Sequence, residues 1–186
     1  MTTSRTGVGL RPLLPLYLVI FIAFCGYSLM MTLFVPMLMG QYGFVPAATG
    51  IGQRTTLIGL LLAIYPLGQF LGAPAIGALS DRFGRKPVLV VSLAISVGAY
   101  AVVSLGIEVR SLLVIGAGCL IGGLAESNIA IVQSAVADVT SAEDRPRLFA
   151  WIYSASSVGY IAGPVGGGQL AEAVGWSAPF WLATGL

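Results

Sequence analysis

The sequence predicts an all-α protein that resides in a lipid bilayer, and three observations lead there. Hydrophobic residues make up 57% of the 186 and charged residues 9%, a balance outside that of soluble domains. The apolar residues gather into runs at 13–39, 57–79, 87–107, 112–137 and 149–171. Each reaches the roughly 20 residues that a helix needs to cross the hydrocarbon core. A sixth run starts near Ser177 and stops at Leu186, too short to cross. The third observation is charge. If the N-terminus is cytoplasmic, the inner segments hold Arg5, Arg11, Arg82, Arg85, Lys86, Arg145 and Arg147, and the outer loops hold only Arg54 and Arg110. That asymmetry obeys the positive-inside rule.

Composition also excludes. A net charge of +2 points to no nucleic acid. Cys25 and Cys119 sit inside apolar runs with no metal-ligand spacing, so neither a disulfide nor a metal site is expected. The chain has no histidine, which rules out a serine–histidine hydrolase, a histidine-ligated metal and a histidine proton relay within it. No nucleophile–base pair can be assembled, so no enzyme and no cofactor is expected.

In chain order, residues 1–12 form a polar leader. The run 13–39 is too long for a signal-peptide core and lacks a small-residue cleavage site, so it reads as an uncleaved first span. Pro36 breaks its hydrogen bonding near the outer end, where Thr32 is placed to help satisfy the freed backbone. A polar loop, 40–56, follows. The second span carries Tyr65, Pro66, Gln69 and Pro74, and two prolines imply a kink. Gln69 must face other helices or a cavity, as an interhelical hydrogen bond or as part of a binding surface. The third span is aliphatic with small residues and is expected to pack peripherally against lipid.

The fourth span, 112–137, carries Glu126 near its middle. A carboxylate at that depth costs about 2.5–3.5 kcal/mol on insertion scales. Gly122 lies four residues before it and Gln133 seven after, on one face of a continuous helix, with Asn128 at the edge. No lysine or arginine falls at that depth, so a proton is the natural counter-ion. Two readings stay open, a protonation site coupled to transport and a permanently neutral carboxyl in a structural hydrogen bond. Asp138 ends the span, where the helix dipole disfavours an anion and calls for a nearby cation. In the fifth span Ala155, Gly159, Gly163 and Gly167 recur every four residues, a bare face for close helix packing, and Pro164 adds a kink.

The densest charge cluster joins the second and third spans, in Gly77-Ala-Leu-Ser-Asp81-Arg82-Phe-Gly84-Arg85-Lys86-Pro87. Gly77 permits close backbone approach, Gly84 suits a left-handed turn, and Pro87 suits the first turn of a helix. Asp81 needs a cation, and Arg82, Arg85 and Lys86 are the local candidates. The basic residues taken singly also read as a topology signal at the membrane surface.

The pattern Gly77-x-x-x-Asp81-Arg82-x-Gly84-Arg85-Lys86 resembles the signature loop between helices 2 and 3 of the major facilitator superfamily of transporters. Gly159-x-x-x-Gly163-Pro164-x-x-Gly167-Gly168 resembles the fifth-helix motif of that superfamily's antiporters, drug and tetracycline efflux proteins among them. Two departures stand out. Ala150 replaces an upstream glycine of that motif. The outer half of helix 4, Gly116-Ala-Gly118-Cys119-Leu-Ile-Gly122, lacks the arginine of many drug:proton antiporters.

The resemblance implies the N-terminal six-helix half of such a transporter, its sixth helix truncated and its C-terminal half missing. It implies a multi-pass protein of the cell (inner or plasma) membrane, with the lipid bilayer and a small-molecule substrate as partners. The expected activity is export of a small, partly apolar molecule against protons by alternating access. Glu126, Gln133, Gln69 and Tyr160 are the expected cavity-facing residues. The signature loop and Asp138, paired with the Arg82/Arg85 cluster, would form a cytoplasmic latch. Two alternatives remain, a proton-independent facilitator or importer and a non-transporting truncated membrane protein.

Overall fold

A computed structural model describes residues 10–40, 42–126 and 128–185. Most of the leader, Arg5 included, lies outside the described residues, as do the side chains of Arg11 and Asn128. Among the described residues seven helices follow in order: α1 Leu10–Met39, α2 Ile51–Phe83, α3 Arg85–Glu108, α4 Leu112–Ala125, α5 Asn128–Val139, α6 Arg145–Val174 and α7 Ala178–Gly185. Among the described residues four stretches are long and apolar enough to cross a membrane, Pro12–Met39, Ile51–Phe83, Arg85–Glu108 and Leu112–Val139. At 30 residues α6 has the length, but glycine, serine and charged termini dilute its apolarity.

Several boundaries differ from the sequence expectation. The second helix begins at Ile51, inside the expected polar loop, and runs through Asp81, Arg82 and Phe83. The signature loop is therefore one residue, Gly84, between two helices. Its φ of +92° and ψ of 155° lie in a region that only glycine adopts readily. The fourth span is not one helix: α4 ends at Ala125 and α5 begins at Asn128.

The helices form two tightly joined groups. α1 lies along α6, and α4 is flanked by α2 and α3, while α7 returns against α3 and α6. Glycine sets each close approach. On α6 a Cβ at Gly159 would stand 2.5 Å from the Phe21 carbonyl oxygen, and one at Gly163 would stand 2.5 Å from that of Cys25. Gly167 faces Leu29, whereas Gly168 faces open space. Gly68 and Gly72 of α2 meet Gly123 and Leu124 of α4, and Gly118 of α4 meets Ala99 and Val103 of α3. Gly77, expected at such a contact, has nothing near its missing side chain. Van der Waals packing of this kind drives association where lipid and side chains are equally apolar.

The third helix is not peripheral. Ser92, Ser96, Tyr100 and Ser104 recur every four residues and are all buried, a polar stripe facing the bundle. Val90, Val91 and Ile95 on its other side are exposed, like Leu14, Phe70 and Ile161 elsewhere. This inside-out distribution is what hydrocarbon as solvent requires.

At the end opposite Gly84 the buried Arg54 donates to the carbonyls of Leu38 (2.8 Å), Thr49 (3.1 Å), Gly40 (3.2 Å) and Pro46 (3.3 Å). These include free acceptors at the C-terminus of α1, where the dipole favours a cation. Arg54, expected in an outer loop, thus lies in the first turn of α2 and is buried. Thr32 is exposed beside Pro36.

The α1–α6 seam has no room for side chains. Gly163→Leu is expected to lower stability by about 1–3 kcal/mol through overpacking, while Gly168→Leu leaves it nearly unchanged. Thermal unfolding of the two variants in detergent measures the difference.

Candidate functional site

The break in the fourth span makes the site. Ending a helix inside a bilayer frees backbone acceptors that water cannot reach. Here side chains reach them. Ser92 Oγ of α3 donates to the Ala125 carbonyl at 2.5 Å, and Gln69 Nε2 of α2 donates to the Glu126 carbonyl at 3.2 Å. The Glu126 N–H still bonds back to Gly122 at 2.9 Å. Its φ of −88° and ψ of 57° turn the chain out of the helix.

The Glu126 side chain is buried, with 8% of the residue exposed. Tyr65 of α2 donates its hydroxyl to Oε2, and Tyr100 of α3 donates to Oε1 at 3.2 Å. Each carboxylate oxygen thus has a neutral donor, and among the described residues no cation is a partner. The carboxyl meets a cavity of about 320 Å³ framed by α1, α2, α5 and α6. Phe24, Tyr27, Tyr65 and Tyr160 supply aromatic walls, and Gln69 and Glu126 supply polar groups. The rings pack on one another, Phe24 to Tyr160 at 5.2 Å and Tyr27 to Tyr160 edge-on at 5.7 Å between centroids. Among the described residues no lysine or arginine lines the cavity.

Of the expected cavity residues, Glu126, Gln69 and Tyr160 come together here. Gln133 does not. Gln133 stands one turn beyond the cavity-lining Ile129 and Ala130 on α5, and its Nε2 donates to the Tyr153 hydroxyl of α6 at 3.1 Å. Tyr65 and Tyr100 were missed as functional groups. Tyr65 stands one turn before Gln69, and Tyr100 belongs to the period-four polar stripe of α3, so both carried a signal in the sequence.

The charge cluster at Gly84 centres on Arg85. Its Nη1 reaches Asp81 Oδ1 at 2.6 Å and Ser80 Oγ at 3.0 Å, and its Nε reaches Asp138 Oδ2 at 3.4 Å. One guanidinium so ties the end of α2, the start of α3 and the end of α5. Arg82 lies over the Phe83 ring at 5.1 Å instead of pairing with Asp138. Lys86 stands in the first turn of α3. Arg145 caps α5 through the Ala137 carbonyl at 3.0 Å. Gly159, Gly163, Pro164, Gly167 and Gly168 lie on α6, the first two and Gly167 against α1.

The Major Facilitator Superfamily model matches residues 16–186 of this chain. The chain belongs to the major facilitator superfamily. Tetracycline resistance protein class C of Escherichia coli is 43% identical over 128 residues, 69% of this chain and 31% of that protein. The superfamily domain-containing protein 10 of Bos taurus is 36% identical over 129 residues, 69% of this chain and 28% of that one. Among solved structures, the human organic anion transporter MFSD10 superposes with a TM-score of 0.67 at 28% identity. That match covers 93% of this chain and 44% of the human one. The chain thus spans about a third of the length of the curated relatives it matches. Membership and the apolar helices make it a multi-pass membrane protein.

Two variants separate the buried and the exposed polar contacts. Gln69→Leu leaves the Glu126 carbonyl without its donor and is expected to cost about 1–3 kcal/mol. Arg85→Ala removes ion pairs whose carboxylates are largely exposed, 69% for Asp81 and 59% for Asp138, and is expected to cost under about 1 kcal/mol. Unfolding in graded denaturing detergent compares them.

Proposed function

We propose that the complete protein is a secondary transporter that exports a small, partly apolar molecule in exchange for protons by alternating access. It would sit in the cell membrane with its N-terminus cytoplasmic, and a second half would complete the pathway. The observation that carries this reading is the Glu126 carboxyl, buried at an aromatic cavity with hydroxyl partners and, among the described residues, no cation. A proton would serve a group so placed as its counter-charge. The aromatic walls suit a ring-bearing substrate, and the similarity to tetracycline resistance proteins supports a drug-like molecule of that kind. The Arg85 cluster would latch the cytoplasmic ends of the helices, and α1 with α6 would move as one packed unit.

One observation favours a second reading, proton-independent transport by a facilitator or importer. Both Glu126 oxygens already hold tyrosine hydroxyls, which suits a carboxyl with a purely structural role.

Inverted vesicles containing the full-length protein distinguish the two. With tetracycline as probe, a proton gradient is expected to drive uptake that an uncoupler abolishes. Glu126→Gln is expected to lower that uptake on the order of tenfold or more. Unchanged, uncoupler-resistant uptake in the variant would sink the exchange reading and leave the second.

A further inference from the structure

α4 and α1 barely touch directly, through Met30 Sδ and Cys119 Sγ at 4.0 Å. Yet both phenols that hold Glu126 of the α4–α5 break reach α1. Tyr65 packs its ring on Tyr27 of α1, with centroids 4.9 Å apart. Tyr100 lays its phenol in the space that Gly26 of α1 leaves open, where a Cβ would stand 3.2 Å from Cε1 and closer still to the hydroxyl. Tyr100 does not line the central cavity. It lines a second, apolar cavity of about 160 Å³ between α1, α3, α6 and α7. α1 is in turn seated on the bare glycine face of α6.

We propose that Tyr65 and Tyr100 are positioning residues that make α1, and α6 with it, respond to the charge on Glu126. The proposal rests on the reading that Glu126 exchanges a proton. An ionised carboxylate only accepts, so it engages both hydroxyls at once and draws both rings toward the break. A protonated carboxyl has become a donor on one oxygen. The phenol on that oxygen can then accept and turn its own proton elsewhere, so one of the two phenol links between the break and α1 reverses its donor. The Tyr100 side offers that proton a nearly apolar cavity, so the exchange cannot be silent in the packing there.

Tyr65 from α2 and Tyr100 from α3 face the carboxyl directly, the buried Ser96 hydroxyl of α3 lies beside it, and Tyr27 from α1 and Tyr160 from α6 share its cavity. α5 brings Ile129 and Ala130, and α4 brings the buried thiol of Cys119. Apart from Glu126, among the described residues neither cavity is lined by an Asp, Glu, Lys or Arg.

The chain carries its own reporter. Cys25 precedes Gly26, is half-buried and lines the second cavity, whereas Cys119 is fully buried. The test measures the rate at which N-ethylmaleimide labels Cys25 in membranes holding the full-length protein, at acid and at alkaline pH. Glu126→Gln, which cannot ionise, supplies the thiol's own pH dependence. The wild-type ratio of the two rates is expected to differ from that reference several-fold. Tyr100→Phe is expected to bring the ratio to the Glu126→Gln value, and Tyr65→Phe does the same where Tyr100→Phe fails to accumulate. In parallel, infrared difference spectra follow the protonated-carboxyl band that Glu126→Gln deletes. A band that responds to pH, with either tyrosine variant keeping the wild-type ratio, overturns the coupling and spares the proton reading. A band that never responds overturns both.

Discussion

In hydrocarbon no backbone acceptor can be left to water, and the interruption at Glu126 shows how that constraint shapes the molecule. Stopping α4 at Ala125 exposes carbonyls in mid-membrane, and two neighbouring helices send a side chain each, Ser92 from α3 and Gln69 from α2. The same two helices send Tyr100 and Tyr65 to the carboxylate. Glu126 is therefore held at both its backbone and its side chain by α2 and α3. These helices can come that close because Gly68, Gly72, Gly118 and Gly123 leave them room. Glycine packing and polar satisfaction are one arrangement, since the donors reach only if the backbones approach.

The second joined pair, α1 and α6, stands across the cavity. In its seam the backbone carbonyls of Phe21 and Cys25 lie under Gly159 and Gly163, and the buried Ser28 hydroxyl of α1 donates to the Gly159 carbonyl of α6 at 3.4 Å. Such a contact resists any added atom, so the pair behaves as a unit. The cavity between this unit and the α2–α3–α4 group is walled by rings, chiefly Phe24, Tyr27 and Tyr160 on one side and Tyr65 on the other. Tyrosine serves both needs there, an apolar body for the wall and a hydroxyl for the buried acid. The two ends of the bundle are tied by arginine in different ways. Arg85 uses exposed carboxylates, while the buried Arg54 uses carbonyls alone. That choice follows from depth, because a buried cation needs several fixed acceptors to offset lost hydration.

Much of this was legible from residue spacing. The helix class, the packed glycine face of α6 and the turn at Gly84 each follow from local rules of apolar length, four-residue periodicity and glycine's conformational range. The burial of Glu126 was legible too, because a lone carboxylate in an apolar run has to be accommodated. The end of α4 at Ala125 was not legible. Gln133, expected in the cavity, stands one turn past the lining residues Ile129 and Ala130 and bonds Tyr153. Gly77 was given a packing role that belongs to Gly68 and Gly72, because a glycine in a run does not reveal which face has a neighbour. The third helix looked bland because its serines are small. Their spacing, every four residues with Tyr100 among them, was the overlooked sign.

By itself the sequence determined that this is a bundle of membrane helices, where most of them run, and that the chain belongs with the facilitator transporters. Those properties depend on hydrophobic length, charge asymmetry and short motifs, which are local along the chain. Only the tertiary structure decided which hydroxyls meet Glu126, that Arg85 bridges Asp81 and Asp138, and that Arg54 closes the far end of α1. Those contacts join residues brought together by the rotation and closeness of packed helices. Many small van der Waals contacts set that rotation jointly, and no single stretch of sequence encodes it.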